Sequence, residues 1–223
     1  MLLVLRFKRI LKKNLFELIS RVIAFNRSLK FDQSTPNLHL VTTPKELIEI
    51  FVLRSRIYTK LNYNSEFPDI IEGLNFDTFD ENAAILYTKK EGVITGTCRL
   101  IFDSDKKLPI DKNYSLDYLR TTKKRLAEVS RLVIEHQSSG LNLEFKLLTK
   151  GVYFVIKQNG LDASISVIKD DHFKLYNRFG GFYIEERLHT YGHLDNTFVI
   201  TSWNILKISN FFKKLFLEEP KSA

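Results

Sequence analysis

Residues 128–134 read EVSRLVI, a glutamate and an arginine three apart in an otherwise apolar β-strand pattern. In a regular strand side chains alternate between faces, so Glu128 and Arg131 would point to opposite sides of the sheet. A β-bulge between them would add a residue, reverse the alternation and bring both charges to one side. It would also leave a backbone N–H able to hold a carbonyl or an oxyanion. The stretch is therefore either a strand edge carrying two solvent-exposed charges in a salt bridge or a strand broken by a bulge at a site of chemistry, and the bulge is the expectation carried forward.

Around it the sequence alternates short strands and helices. HLVTT (39–43) reads as a strand, and Thr43-Pro44-Lys45-Glu46 as a capping box with proline at the first helical position, opening a helix to about Leu61. Residues 62–82 are irregular and contain acidic residues, the pattern of a long functional loop. AAILYTKK (83–90) turns through Glu91-Gly92 into VITGTCRLIFD (93–103), and RLAEVSRLVIE (125–135) is the next strand. In 93–103, alternation places Ile94, Cys98, Leu100 and Phe102 on one face and Thr95, Thr97 and Arg99 on the other. A helix over 143–158, a strand over 162–169 and a helix over 170–179 follow, then strands FYIEERLH and NTFVITSW and a last helix over 204–217. Hairpin strands mixed with crossover helices predict an α/β three-layer sandwich, a mixed central sheet with helices on both faces.

The chain has 223 residues, 44% of them hydrophobic, enough for one core and one main domain. Residues 1–37 read as an amphipathic helix and linker, and 38–223 as the main domain. Arg6, Lys8, Arg9, Lys12 and Lys13 interrupt the apolar N-terminal run, which excludes a signal-peptide core or membrane span there. Leu3, Phe7, Ile10, Leu11, Leu15, Leu18, Val22 and Phe25 recur at helical spacing opposite that basic face. This pattern suits packing on the domain, with peripheral contact of residues 1–25 with an anionic membrane as the second reading. The single cysteine, Cys98, fits a reducing, cytoplasmic setting and lies on an apolar strand face, so it reads as core. A formal charge of +8 favours acidic partners, but no nucleic-acid fingerprint accompanies it and none is expected to bind. His189 and His193 have metal-like spacing, but Gly192 and the strand-like surroundings argue against a helix there, and no metal is expected.

Four motifs in order, LRSRIY (53–58), DTFD (77–80), GTCRL (96–100) and EVSRLVI, resemble those of the GNAT-like N-acyltransferases of the autoinducer synthase and N-acyl amino acid synthase type. YNRFGGF (176–182) extends the resemblance to the end of a GNAT-like helix. Asn75 stands where the homoserine-lactone enzymes tend to have Glu, and Tyr63 where an aromatic is usually Trp. Both departures favour a changed amine over a lost reaction. The resemblance implies an acyltransferase that moves a fatty acyl group from an acyl carrier protein thioester to the amine of an amino acid. A homoserine-lactone synthase using S-adenosylmethionine is the first alternative, and a non-catalytic membrane-associated binding protein the second. No cofactor is expected to be permanently bound; the acyl-phosphopantetheine arm of the carrier protein would enter where two parallel strands splay. Glu128 would be the base and Arg131 would mark the oxyanion site. Arg54, Tyr58, Asp77, Phe79, Asp80, Arg99, Ser130, Leu132 and Val133 would contact substrate, with an ion network of Asp77 and Asp80 with the arginines that clamps the loop onto the sheet as an equal reading. Lys146, Lys150, Lys123, Lys124 and Arg125 would receive the carrier protein.

Overall fold

The computed structural model describes residues 2–122, 125–135, 141–192, 194 and 196–218, and the backbone alone for residues 2–12. Helix α1 (Leu2–Ser28) leads to strand β1 (Leu38–Leu40) and helix α2 (Pro44–Lys60). The hairpin β2 (Ala83–Lys90) and β3 (Val93–Phe102), helix α3 (Asp117–Thr122), strand β4 (Leu126–Ile134) and helix α4 (Leu143–Gln158) come next. Strand β5 (Ala163–Lys169), helix α5 (Phe173–Phe179) and strands β6 (Phe182–Leu188) and β7 (Phe198–Trp203) complete the sheet. The strands are ordered β1-β2-β3-β4-β5-β7-β6, with every neighbour antiparallel except β4 and β5.

Local chemistry sets several of these boundaries. Thr43 and Glu46 form the expected capping box at α2, with Pro44 in its first turn. The two-residue hairpin turn has Glu91 at φ 52 and Gly92 at φ 81, the left-handed pair that matches strand twist. The expected 204–217 helix is broken. A 3-10 turn at Ile205–Lys207 ends in extended backbone at Ile208, and Ser209 caps a new start, α6 (Asn210–Phe212), that continues as a π turn over Lys213–Leu217.

Each sheet face has its own core. One joins Ile19, Val22 and Ile23 of α1 and Leu47, Ile50 and Phe51 of α2 to Ile85, Ile101 and Val133. The other joins Leu148, Val152 and Ile156 of α4 to Leu86, Leu100, Phe179, Trp203, Phe212 and Phe216. Gly151 lets α4 approach closely, because a Cβ there would stand 3.1 Å from both Leu38 and Leu86. The second half of α1 is built into this domain: Asn26 is buried, donates to the carbonyl of Ala83 and accepts from the amide of Ile85, each closing a β2 backbone group. The expected alternation along β3 fails at one place. Thr88 pairs with Gly96 but Lys89 with Ile94, so Thr95 is an extra residue, and Ile94 packs in the α1–α2 core instead of with Cys98 and Leu100. Among the described residues no helix is long and apolar enough to cross a membrane.

Candidate active site

The opening stretch contains a bulge. Arg99 pairs with Ser130, while Thr97 pairs with Val133, so Arg131 and Leu132 together oppose Cys98. Arg131 has φ 53, a left-handed conformation that costs a non-glycine residue roughly 1–2 kcal/mol. Side-chain parity changes accordingly: Leu126 lies in the α1–α2 core before the bulge, and odd-numbered Val133 lies there after it. Glu128 and Arg131 therefore share a face.

Partners on that face hold the strained arginine. Arg131 donates to Asn75 Oδ1 at 3.2 Å and Asp77 Oδ2 at 3.0 Å, and its guanidinium lies 4.4 Å from the Phe67 ring centroid and 5.3 Å from that of Tyr58. Arg99 donates to Asp77 Oδ1 at 2.6 Å and Ser130 Oγ at 3.0 Å. Asp80 receives Arg54 at 2.8 Å and stands 3.3 Å from Arg99. The spacing of DTFD makes this possible. Its residues open a 3-10 turn in which Asp77 Oδ1 accepts from the amide of Phe79 and Asp80 Oδ2 accepts from the amide of Asp77, so capping orients both carboxylates toward the arginines, with Asp77 Oδ1 shared between the Phe79 amide and Arg99. Burial raises the Asp77 carboxyl, but Arg99 and Arg131 more than reverse this and hold it well below the usual carboxylate range.

Glu128 behaves differently. It is 3% exposed, accepts from the amide of Ile110 at 2.9 Å, and burial pushes its carboxyl up to about 7 against the lowering effects of that amide and of Arg99. Such a group exchanges protons near neutrality, the property required of a general base. Burial pushes the Cys98 thiol up to about 12, which removes it as a thiolate nucleophile.

The parallel pair β4–β5 is short. It runs from Leu126–Ala163 to Val129–Ser166, beyond which β4 stays with β3 and β5 with β7. The sheet thus splits into a V, and a cavity of about 670 Å³ passes through it. On the α2 face its wall includes Tyr58, Tyr63, Asp77, Phe79, Arg99 and Glu128; on the α4 face it includes Leu148, Val152, Tyr176, Phe179, Phe182 and Trp203. Ser130, Arg131 and the 40% exposed Leu132 line one edge of the gap.

Three expected contact residues lie outside the wall. Arg54 and Asp80 are fully buried behind it as a clamp between α2 and the loop, and Val133, returned inward by the bulge, is core. The lysines divide: Lys146 and Lys150 lie on α4, Arg125 is exposed at the start of β4, and Lys123 and Lys124 fall outside the described residues, as does His193. Among the described residues no cluster of metal-ligating side chains occurs. Tyr191 is a site residue that the sequence does not mark, because only the histidines beside it have a recognisable spacing. An isolated bridge with Leu194 brings it to the cavity, where burial and the charge of Glu128 push its phenol up to about 12. Asn75 was noticed only as a departure; in the structure it accepts from Arg131 and donates to the carbonyl of Phe67.

The family model of the N-acyl amino acid synthase FeeM matches residues 49–204, well over half of the chain and the whole of this site. The chain belongs to that family. It is an autoinducer synthase-like N-acyltransferase, an enzyme of acyl transfer. The solved structure of FeeM, an N-acyl amino acid synthase from uncultured soil microbes, superposes with TM-score 0.60 at 22% identity, covering 81% of this chain and 94% of that one. The AHL synthase LasI superposes with TM-score 0.57 at 14% identity, covering 84% and 100%. BjaI, a CoA-dependent acyl-homoserine lactone synthase, gives 0.59 at 16% identity, covering 82% and 88%. These three likenesses concern the fold. No curated protein matches the chain by sequence.

Proposed function

We propose that the enzyme transfers a fatty acyl group from an acyl carrier protein thioester to the amine of an amino acid. The observation that carries this reading is the cavity through the split sheet, with Asp77, Arg99, Glu128 and Arg131 at one end and an uncharged, largely aromatic lining of Tyr176, Phe179, Phe182 and Trp203 toward the other. A fatty chain suits the aromatic end, which places its thioester carbonyl in the gap beside the bulge. Arg99 and Arg131 line the charged end with Asp77, and Arg54 and Asp80 pair directly behind them. These guanidiniums outnumber the carboxylates of Asp77 and Asp80 by one, which suits an acceptor carboxylate better than S-adenosylmethionine, whose sulfonium adds a cation, and the ionised form of Glu128 is left to face the acceptor amine.

The neutral amine attacks the thioester carbon; the C–N bond forms and the C–S bond breaks. Glu128 takes the amine proton, directly or through a water, and that proton leaves with the departing thiol. Backbone N–H groups of residues 131–133 are the donors assigned to the developing oxyanion. Arg99 and Arg131 orient the acceptor carboxylate. Lys146, Lys150 and Arg125, with Lys123 and Lys124, are assigned as the landing site for the acidic carrier protein, and the basic face of residues 1–25 is assigned to contact with an anionic membrane. The reading is of a cytoplasmic enzyme with no permanently bound cofactor.

Mass spectrometry of reactions pairing acyl carrier protein or coenzyme A thioesters with an amino-acid panel or with S-adenosylmethionine tests the proposal. It expects an N-acyl amino acid and faster turnover from the carrier protein. A lactone as the main product would replace the acceptor assignment, and equal rates from both donors would remove the carrier-protein assignment.

A further inference from the structure

A second cavity, about 350 Å³, lies between α1 and residues 70–81. Leu15 and Leu18 of α1 form one side, and Ile70, Ile71, Phe76 and Thr78 the other. The two cavities share Ile70, Phe76, Asp77 and Thr78, so they meet at the carboxylate that holds Arg99 and Arg131. The volume falls within the roughly 300–1,000 Å³ typical of small-molecule sites. Helix α1 precedes the segment 49–204 that the family model matches, so this wall comes from outside that segment.

We infer that this cavity receives the side chain of the acceptor amino acid and selects acceptors with large apolar side chains. The inference rests on the acceptor reading above. With the acceptor's carboxylate on the arginines and its amine toward Glu128, its side chain leaves from the carbon between them. The thioester occupies the gap between β4 and β5, so the free direction runs past Thr78 and the 53% exposed Ile70 toward α1.

The charges at the rim set the polarity. Glu81 receives Arg21 at 3.0 Å and also Lys106, and Glu17 stands 4.0 Å from Arg21 and 3.9 Å from Lys13. Each of these rim charges already has a partner of opposite sign, so a charged acceptor side chain would find no unpaired one, and Leu15, Leu18, Ile70, Ile71 and Phe76 give an apolar lining beside Asn14 and Thr78. Asn26, bonded to β2, and Arg27, donating twice to the carbonyl of Thr42, hold α1 against the domain. The wall is therefore fixed enough to discriminate by shape.

The test measures kcat/KM for glycine, alanine, leucine and phenylalanine with one acyl donor, in the full chain and in Leu18→Trp and Leu15→Phe, which fill the cavity from α1. The readout is the leucine-to-alanine ratio within each preparation, so partial unfolding cancels. The full chain should favour leucine and phenylalanine by about tenfold or more, and either variant should reduce the ratio by about tenfold. A ratio unchanged within about twofold in both variants, or no preference for large side chains in the full chain, overturns the inference while leaving the acyl transfer intact. If no amino acid is acylated by the full chain, the acceptor reading beneath it is removed as well.

Discussion

The two ends of the through-sheet cavity are built on opposite principles. At the aromatic end, Tyr176 lies 5.5 Å from Phe179 and 5.4 Å from Phe182, and Phe182 stacks on Trp203 at 5.0 Å. These contacts are non-directional, and a ring can be exchanged for another apolar shape at modest cost. At the charged end, two carboxylates and three guanidiniums are joined atom to atom, and one of the arginines stands on a left-handed backbone. The comparison separates chemistry, which needs fixed positions, from chain accommodation, which needs volume.

The largest expected effect is at Glu128. Glu128→Gln should lower kcat by roughly 100- to 10,000-fold with the fold intact. In the parent enzyme the rate should rise as pH rises through about 7, the value to which burial pushes this carboxyl, and that limb should vanish in the variant. Stability should move the other way. Because the folded-state pKa lies above the ordinary 4.5, the folded protein holds this proton more tightly, and the resulting stabilisation is lost as pH rises from about 4.5 through about 7. Removing the charge should therefore leave the variant at least as stable at pH 8, by up to ~3 kcal/mol in denaturant unfolding. Marked destabilisation there would recast Glu128 as a structural residue.

The clamp behind the cavity gives the next effect. Arg54 is fully buried, two of its nitrogens already lack a partner, and Asp80 is its ion pair. Asp80→Ala should cost about 3–5 kcal/mol in chemical denaturation, because it leaves a buried charge uncompensated. A loss under about 1 kcal/mol would show that the loop is held by capping and packing alone.

At the aromatic end the smallest effect is expected. Tyr176→Ala should keep the reaction and shift the preferred acyl donor toward longer chains, by about tenfold in the ratio of kcat/KM values. A large fall in kcat with every chain length would mean that this end is not the accommodating one.

The charged end was more legible in the sequence than the rest, for a physical reason. Glu128 and Arg131 violate strand alternation, which leaves a bulge or a pair of strand-edge charges, and the register and the left-handed Arg131 decide for the bulge. The Thr95 bulge left no such mark, because threonine is acceptable on either face, and Ile94 was therefore placed on the wrong one. DTFD showed two carboxylates but not their division of labour. Only the fold reveals that Asp77 reaches the cavity while Asp80 pairs with Arg54 behind it. Tyr191 shares the cavity wall with Glu128 and feels its charge from a loop more than fifty positions away in sequence, a relation no local period can encode. The wall supplied by α1 was equally invisible, since Leu15 and Leu18 follow the same helical spacing as the core residues Ile19 and Val22.

A structure of the enzyme with a bound N-acyl amino acid product tests the central claim most directly. The account predicts the acyl chain threading between β4 and β5 toward Tyr176 and Phe182, with the amide nitrogen about 3 Å from Glu128 or joined to it by one water, and the carboxylate beside Arg99 and Arg131. A chain lying outside the split sheet, or an amide on the α4 face away from Glu128, would contradict it.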